Sequence, residues 1–158
     1  SDIHGLVDWQ YNIPYGGHRP VTLVFAKERS LEGIKEALFE RRTAVWLNNL
    51  LVGPPEFLTQ LVKSSIAVVS ASYIKNKSVL KVRLENHSDA DFIVQNLSGY
   101  TLHQNGPVLN IKPQATTELQ IKTLEVKDKI NLKLRIFNAL VAPETYVEID
   151  IPVPVATN

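Results

Sequence analysis

Hydropathy changes character along the chain near Lys63-Ser64-Ser65. Beyond that point apolar and polar residues alternate. Leu80, Val82 and Leu84 alternate with Lys81, Arg83 and Glu85, and Ile130, Leu132, Leu134 and Ile136 with Asn131, Lys133 and Arg135. Val147, Ile149 and Ile151 alternate with Glu148 and Asp150. Period-two alternation marks antiparallel strands with one face buried and one in water. Leu119 with Ile121, Phe92 with Val94, and the apolar stretch Ile66 to Ile74 add further strands. Turn-forming clusters separate them: Lys75-Asn76-Lys77-Ser78, Asn86-His87-Ser88-Asp89, Asn105-Gly106, Lys112-Pro113 and Lys127-Asp128-Lys129. Asn105-Gly106 is the favoured pair for a tight hairpin. About seven short strands in roughly ninety residues is the profile of an immunoglobulin-like sandwich.

Before Ser65 the pattern is mixed. Val21 to Ala26 is a short apolar run of buried-strand type. Ser30 is placed to cap a helix with Leu31, Ile34, Ala37 and Leu38 on one face. Glu32 in its first turn and Arg41 and Arg42 at its end complement the helix dipole. Thr43 to Leu47 reads as another strand. Gly53-Pro54-Pro55 breaks the chain and opens a second helix, with Phe57, Leu58, Leu61 and Val62 on one side. The expected fold is therefore an α+β segment over residues 1–65 followed by an all-β immunoglobulin-like sandwich over residues 66–158.

Composition narrows the chemistry. The chain has 158 residues, 44% of them hydrophobic, with 17 basic and 16 acidic side chains. So even a balance gives no overall electrostatic argument for nucleic acid or an acidic membrane, and neither is expected as a partner. There is no cysteine, which excludes disulfides, thiolate metal sites and cysteine nucleophiles. No apolar run approaches the roughly 18–20 residues that span a bilayer. Gly-rich phosphate loops, nucleophile elbows and HExxH are absent.

One place combines residue types and spacing into chemistry. In an extended segment, side chains two apart point the same way. Asp2 and His4 would thus aim a carboxylate and an imidazole at one point, as a metal site requires. Ser1-Asp2-Ile3-His4-Gly5 resembles the last metal-binding motif of the PHP (polymerase and histidinol phosphatase) superfamily. The run from Gly17 to Ala26, the segment Leu31 to Leu38 and Arg41-Arg42-Thr43-Ala44-Val45 resemble the stretch C-terminal to that motif in an envelope-associated, phosphodiesterase-like branch carrying a trailing β-sandwich. The resemblance covers residues 1–65. It implies that this segment is the end of a β/α barrel and that Asp2 and His4 are metal ligands. It further implies a parent enzyme that hydrolyses phosphoesters with zinc, manganese or iron in the bacterial periplasm or cell envelope.

The family's other ligands, a His-x-His pair, a bridging Glu and further His, have no counterpart here. The expectation is a catalytically silent C-terminal fragment that holds no metal tightly and partners the missing barrel portion of the same protein. Exposed strand edges in residues 1–65 would fold onto the sandwich or pair with another copy. His18 and Arg19, after Gly16-Gly17, are candidates for the mouth of the site, Arg19 because its fork pairs two phosphate oxygens.

Plainer roles fit the remaining candidates. Trp9, Tyr11 and Tyr15 are expected to pack against a neighbouring element rather than form a stacking platform, and Trp46 to be core. Asp8, His87 and His103 read as exposed, Glu32, Glu36 and Glu40 as a solvated face, and Lys127-Asp128-Lys129 as a turn. The competing reading of the whole chain is a non-catalytic β-sandwich binding or structural module with a small α/β packing platform.

Overall fold

The computed structural model describes residues 4–104 and 106–156. Asp2 and the Asn105 half of the Asn-Gly turn lie outside them. The chain is mostly β, with two sheets and few helices.

The α+β part comes first. A short helix α1 (Val7–Gln10) and a 3-10 turn (Ile13–Tyr15) lead to β1 (Val21–Val24), α2 (Leu31–Phe39), β2 (Thr43–Leu47) and β3 (Leu50–Val52). The Ser30 hydroxyl accepts the Gly33 amide at 2.9 Å, which is the cap read from the sequence. Arg41 and Arg42 lie just past the helix rather than in its last turn. Arg41 takes a left-handed conformation with φ 56°, and its amide donates to the Leu38 carbonyl. The Arg42 amide donates to the Ala37 carbonyl, which completes a Schellman closure with Arg41 where glycine usually stands. That reversal sends β2 back antiparallel to β1, with Val21 opposite Trp46 and Val24 opposite Thr43. Within this chain the two strands are thus not successive parallel staves of a β/α barrel.

α3 (Pro55–Ser65) places proline in its first turn, where the missing amide costs nothing. It buries Leu58 and Val62. Eight strands follow: β4 (Ile66–Tyr73), β5 (Val79–Asn86), β6 (Phe92–Asn96), β7 (Thr101–Leu102), β8 (Val108–Ile111), β9 (Ala115–Lys122), β10 (Lys129–Ala142) and β11 (Thr145–Pro154). One sheet has the order β4-β5-β9-β7. The other runs β1-β2-β3-β10-β6-β8, with β11 also on β10.

Alternation explains the core between the sheets. Leu80, Val82, Leu84, Leu119 and Ile121 point in from one sheet, and Phe92, Val94, Leu132, Leu134, Ile136 and Ile149 from the other. Every one is essentially inaccessible to water, each worth roughly 1.5–3 kcal/mol of transfer energy.

β10 joins the two halves. β11 pairs along its whole length, so β6 (at Leu134–Ile136) and β3 (at Ala139–Leu140) share its opposite edge. The β3–β10 pairing is parallel. The edge that residues 1–65 would otherwise leave open on β3 is therefore taken up by the sandwich sheet.

Candidate functional site

A cavity of about 950 Å³ lies where the α+β segment meets the sandwich. Its floor is set by local backbone geometry. Asn12 and Gly16 both adopt positive φ, and the Gly17 amide donates to the Asn12 carbonyl at 3.1 Å. A Cβ on Gly17 would collide with the Tyr11 carbonyl, so only glycine lets the chain turn this tightly. The turn lays the His18 ring against Trp46 of β2, with centroids 4.0 Å apart and planes tilted by 44°.

His18 is held by backbone. Its Nδ1 is 2.7 Å from the Arg19 carbonyl and its Nε2 2.9 Å from the Asn48 carbonyl. Carbonyl oxygens only accept, so at either contact it is the ring nitrogen that donates. Both ring nitrogens thus face backbone oxygens, and the ring buttresses the cavity.

The facing wall comes from the β5–β6 turn. Asn86 is fully buried, accepts the Ser88 amide and hydroxyl, and donates to the Ala90 carbonyl at 2.7 Å. This fixes Asp89 and Asp91 on the wall. Asp91 Oδ2 takes Lys112 at 2.8 Å, and Asp89 Oδ1 accepts Gln114 at 3.1 Å. Asp91 Oδ1 and the Trp46 indole nitrogen are buried without a hydrogen-bond partner among the described residues.

An amide hub locks the two walls together, and no sequence motif announced it. The Asn49 side chain donates to the Asp91 carbonyl at 2.7 Å and accepts the Asp91 amide at 3.0 Å. The nearly buried Asn138 of β10 donates to the carbonyls of Asn49 and Asp91, each at 2.7 Å, and accepts the Ile93 amide at 2.9 Å. The signal available beforehand was one polar residue, Asn138, at a position where β10 otherwise alternates inward with apolar ones.

The candidates read from the sequence fall out unevenly. His4 and Arg19 are exposed and His18 lines the cavity, while Asp2 is outside the described residues. Among the described residues no three His, Asp or Glu side chains converge to hold a metal ion. His4 therefore gains no completed coordination set from the described part of this chain. Trp46 is half-buried and packs on the core. Trp9 and Tyr15 correct the packing expectation: they are 81% and 90% exposed, because no element of the described chain covers the face on which α1 and the 3-10 turn lie. Tyr11 and Tyr15 line the cavity with Asn12, Asn48 and the two aspartates.

Two packed sheets with this order, antiparallel except where β3 joins β10, define an immunoglobulin-like β-sandwich carrying an α+β extension. Residues 66–152 match the model of a family described as an Ig-like domain, and the chain belongs to that family. The whole chain is also similar to the crystal structure of a two-domain protein from Bacteroides vulgatus ATCC 8482 that contains a predicted PHP-like metal-dependent phosphoesterase. The two are 28% identical with a TM-score of 0.81, over 97% of this chain and 44% of that one. This chain thus spans less than half the length of that protein. Comparison with curated proteins gives no match.

Proposed function

We propose that this chain is the C-terminal part of a PHP-type metal-dependent phosphoesterase, in which residues 1–65 are the C-terminal end of the barrel portion, with β1 and β2 an antiparallel pair rather than staves, and the sandwich supports it. Asp2 and His4 belong to a divalent-metal site for zinc, manganese or iron, whose remaining ligands come from the barrel portion of the same protein. His18 and Arg19 sit at the mouth of that site. The resemblance also supports a periplasmic or envelope setting, and a silent role for this chain when separated from the barrel.

The observation that carries the reading is the distribution of exposed apolar surface. Among the described residues, large exposed hydrophobic side chains gather in the first fifty-two positions, including Trp9, Tyr15, Leu31, Leu38, Phe39 and Val45. Large apolar side chains left exposed in such number within one part of a chain mark surface that meets a partner. The similarity to a protein more than twice as long, over almost all of this chain, supplies a companion of the right kind. The competing reading, a stand-alone binding module, leaves those side chains without a partner.

Calorimetric titration of the 158-residue chain with zinc or manganese should show nothing tighter than about 1 mM, near −4 kcal/mol. The coding region should continue upstream with a His-x-His pair and further His and Glu residues. The extended protein should hydrolyse bis(4-nitrophenyl) phosphate only with metal, and Asp2→Asn or His4→Ala should cost it about a hundredfold. Micromolar metal binding by this chain alone, or an extended enzyme indifferent to both substitutions, refutes the proposal.

A further inference from the structure

Leu124 and Val126 are not explained by a missing barrel. They are 92% and 70% exposed and sit on the β9–β10 loop, at the start of β10. The α+β segment joins that same strand at Ala139 and Leu140. Ten residue-to-residue steps of extended chain, roughly 34 Å, separate Lys129 from Ala139. The loop is therefore at the far end of the sandwich.

It is also a built tip. Leu124 has φ 65°, a left-handed conformation that a leucine rarely adopts. Hydrogen bonds hold it there: the Thr123 amide donates to the Ser78 carbonyl at 3.1 Å, and the Lys127 amide to the Tyr73 hydroxyl at 2.9 Å. These bonds tie the loop to the β4–β5 turn, so Lys75 and Lys77 share this end of the molecule with Lys122, Lys127 and Lys129. Five lysines here meet two carboxylates, Glu125 and Asp128, and Glu125 is taken by Lys127 at 2.5 Å. Lys75, Lys77, Lys122 and Lys129 are exposed and form no ion pair with a described residue. A cleft of about 580 Å³ opens beside the loop, lined by Tyr100, Thr101, Lys122, Leu124, Lys127 and the Lys127-paired Glu125.

We infer that this tip docks on an anionic lipid surface, with Leu124 and Val126 entering the headgroup layer and the surrounding lysines meeting lipid phosphates. A balance of one net charge over the chain conceals this local excess. Two apolar side chains are too small an area for a stable protein interface, which needs about 1,000 Å² or more. Shallow insertion assisted by lysines needs far less, because each basic residue near an anionic leaflet adds its own attraction. Docking at this end leaves the α+β half facing away from the bilayer.

Vesicle co-sedimentation of the 158-residue chain tests the assignment. Partitioning onto phosphatidylcholine vesicles containing about 30% phosphatidylglycerol should exceed that onto phosphatidylcholine alone by at least about tenfold, and fall in about 0.5 M salt. Leu124→Gly keeps the backbone, since glycine prefers positive φ, so the melting temperature should not fall while partitioning drops roughly tenfold. Lys75→Glu with Lys77→Glu should reduce it by a similar factor. Equal binding to both vesicle types, no binding to either, or partitioning unchanged in either variant overturns the inference. An acidic protein partner would give the second of these outcomes.

Discussion

Replacing Asn138 by alanine tests whether the amide hub holds the α+β segment to the sandwich. The side chain is only 7% exposed and makes three hydrogen bonds of 2.7–2.9 Å, to backbone groups of Asn49, Asp91 and Ile93. Alanine removes all three. The Asp91 carbonyl keeps its bond from Asn49, but the Ile93 amide loses its acceptor at a site water reaches poorly. An orphaned buried donor costs about 1–3 kcal/mol and each of the two remaining bonds about 1 kcal/mol, so the expected loss is about 3–5 kcal/mol. For a chain of this length that lowers the melting temperature by roughly 6–20 °C. Circular dichroism melts read the total, and amide exchange at Ile93 reads the locus, with protection falling there first. In a double-mutant cycle with Asn49→Ala, the two losses should couple by about 1 kcal/mol, because both side chains secure Asp91. A destabilisation under about 0.5 kcal/mol, the size of a neutral surface change, would refute the hub as the joint.

Glu148 accepts Lys133 on one oxygen at 2.9 Å and Arg135 on the other at 2.7 Å, and the Lys133 hydrogen bond, then that from Arg135, holds its carboxyl below the ordinary 4.5. Its stabilisation is complete above that ordinary value and fades as pH falls through the lower folded one, so the urea midpoints of wild type and Glu148→Gln should converge on acidification from about pH 6. A gap independent of pH would refute the assignment. The same pairing holds the Lys133 ammonium above 10.5, so its share is complete below that value and disappears as pH climbs through the raised one. Gly53→Ala should destabilise by about 1–3 kcal/mol in denaturant titration, because the new methyl would meet the Ala44 Cβ at 2.7 Å between β2 and its neighbour; an unchanged midpoint would mean the strands separate freely.

The sandwich was legible because its signals are local. Alternation placed the inward residues of β5, β9, β10 and β11, while Ser30 marked one helix start by capping and Pro55 another by its fixed φ, both effects that act within a turn. The junction was not legible. β3 is three residues long, and its partner on β10 lies about ninety positions away, so no window of sequence contains both. The direction of β2 depended on Arg41 in a conformation usually reserved for glycine. Of the candidate site, the position of His18 beside its glycine turn could be anticipated, but its backbone tether and the Asn49–Asp91–Asn138 hub could not. Each depends on distant carbonyls and amides. The lysine cluster was missed for the same reason, since the turn at 75–77 and the loop at 122–129 look innocuous until folding sets them side by side.

Fourteen residues in one strand, bulged only toward its C-terminal end, make β10 a girder rather than a hinge. A molecule braced this way cannot swivel about a linker, so anything seated on one extremity is held at a set height and heading relative to the other. For an enzyme mounted on such a strut, reach toward a substrate would be decided by the length of the strut and not by thermal wandering.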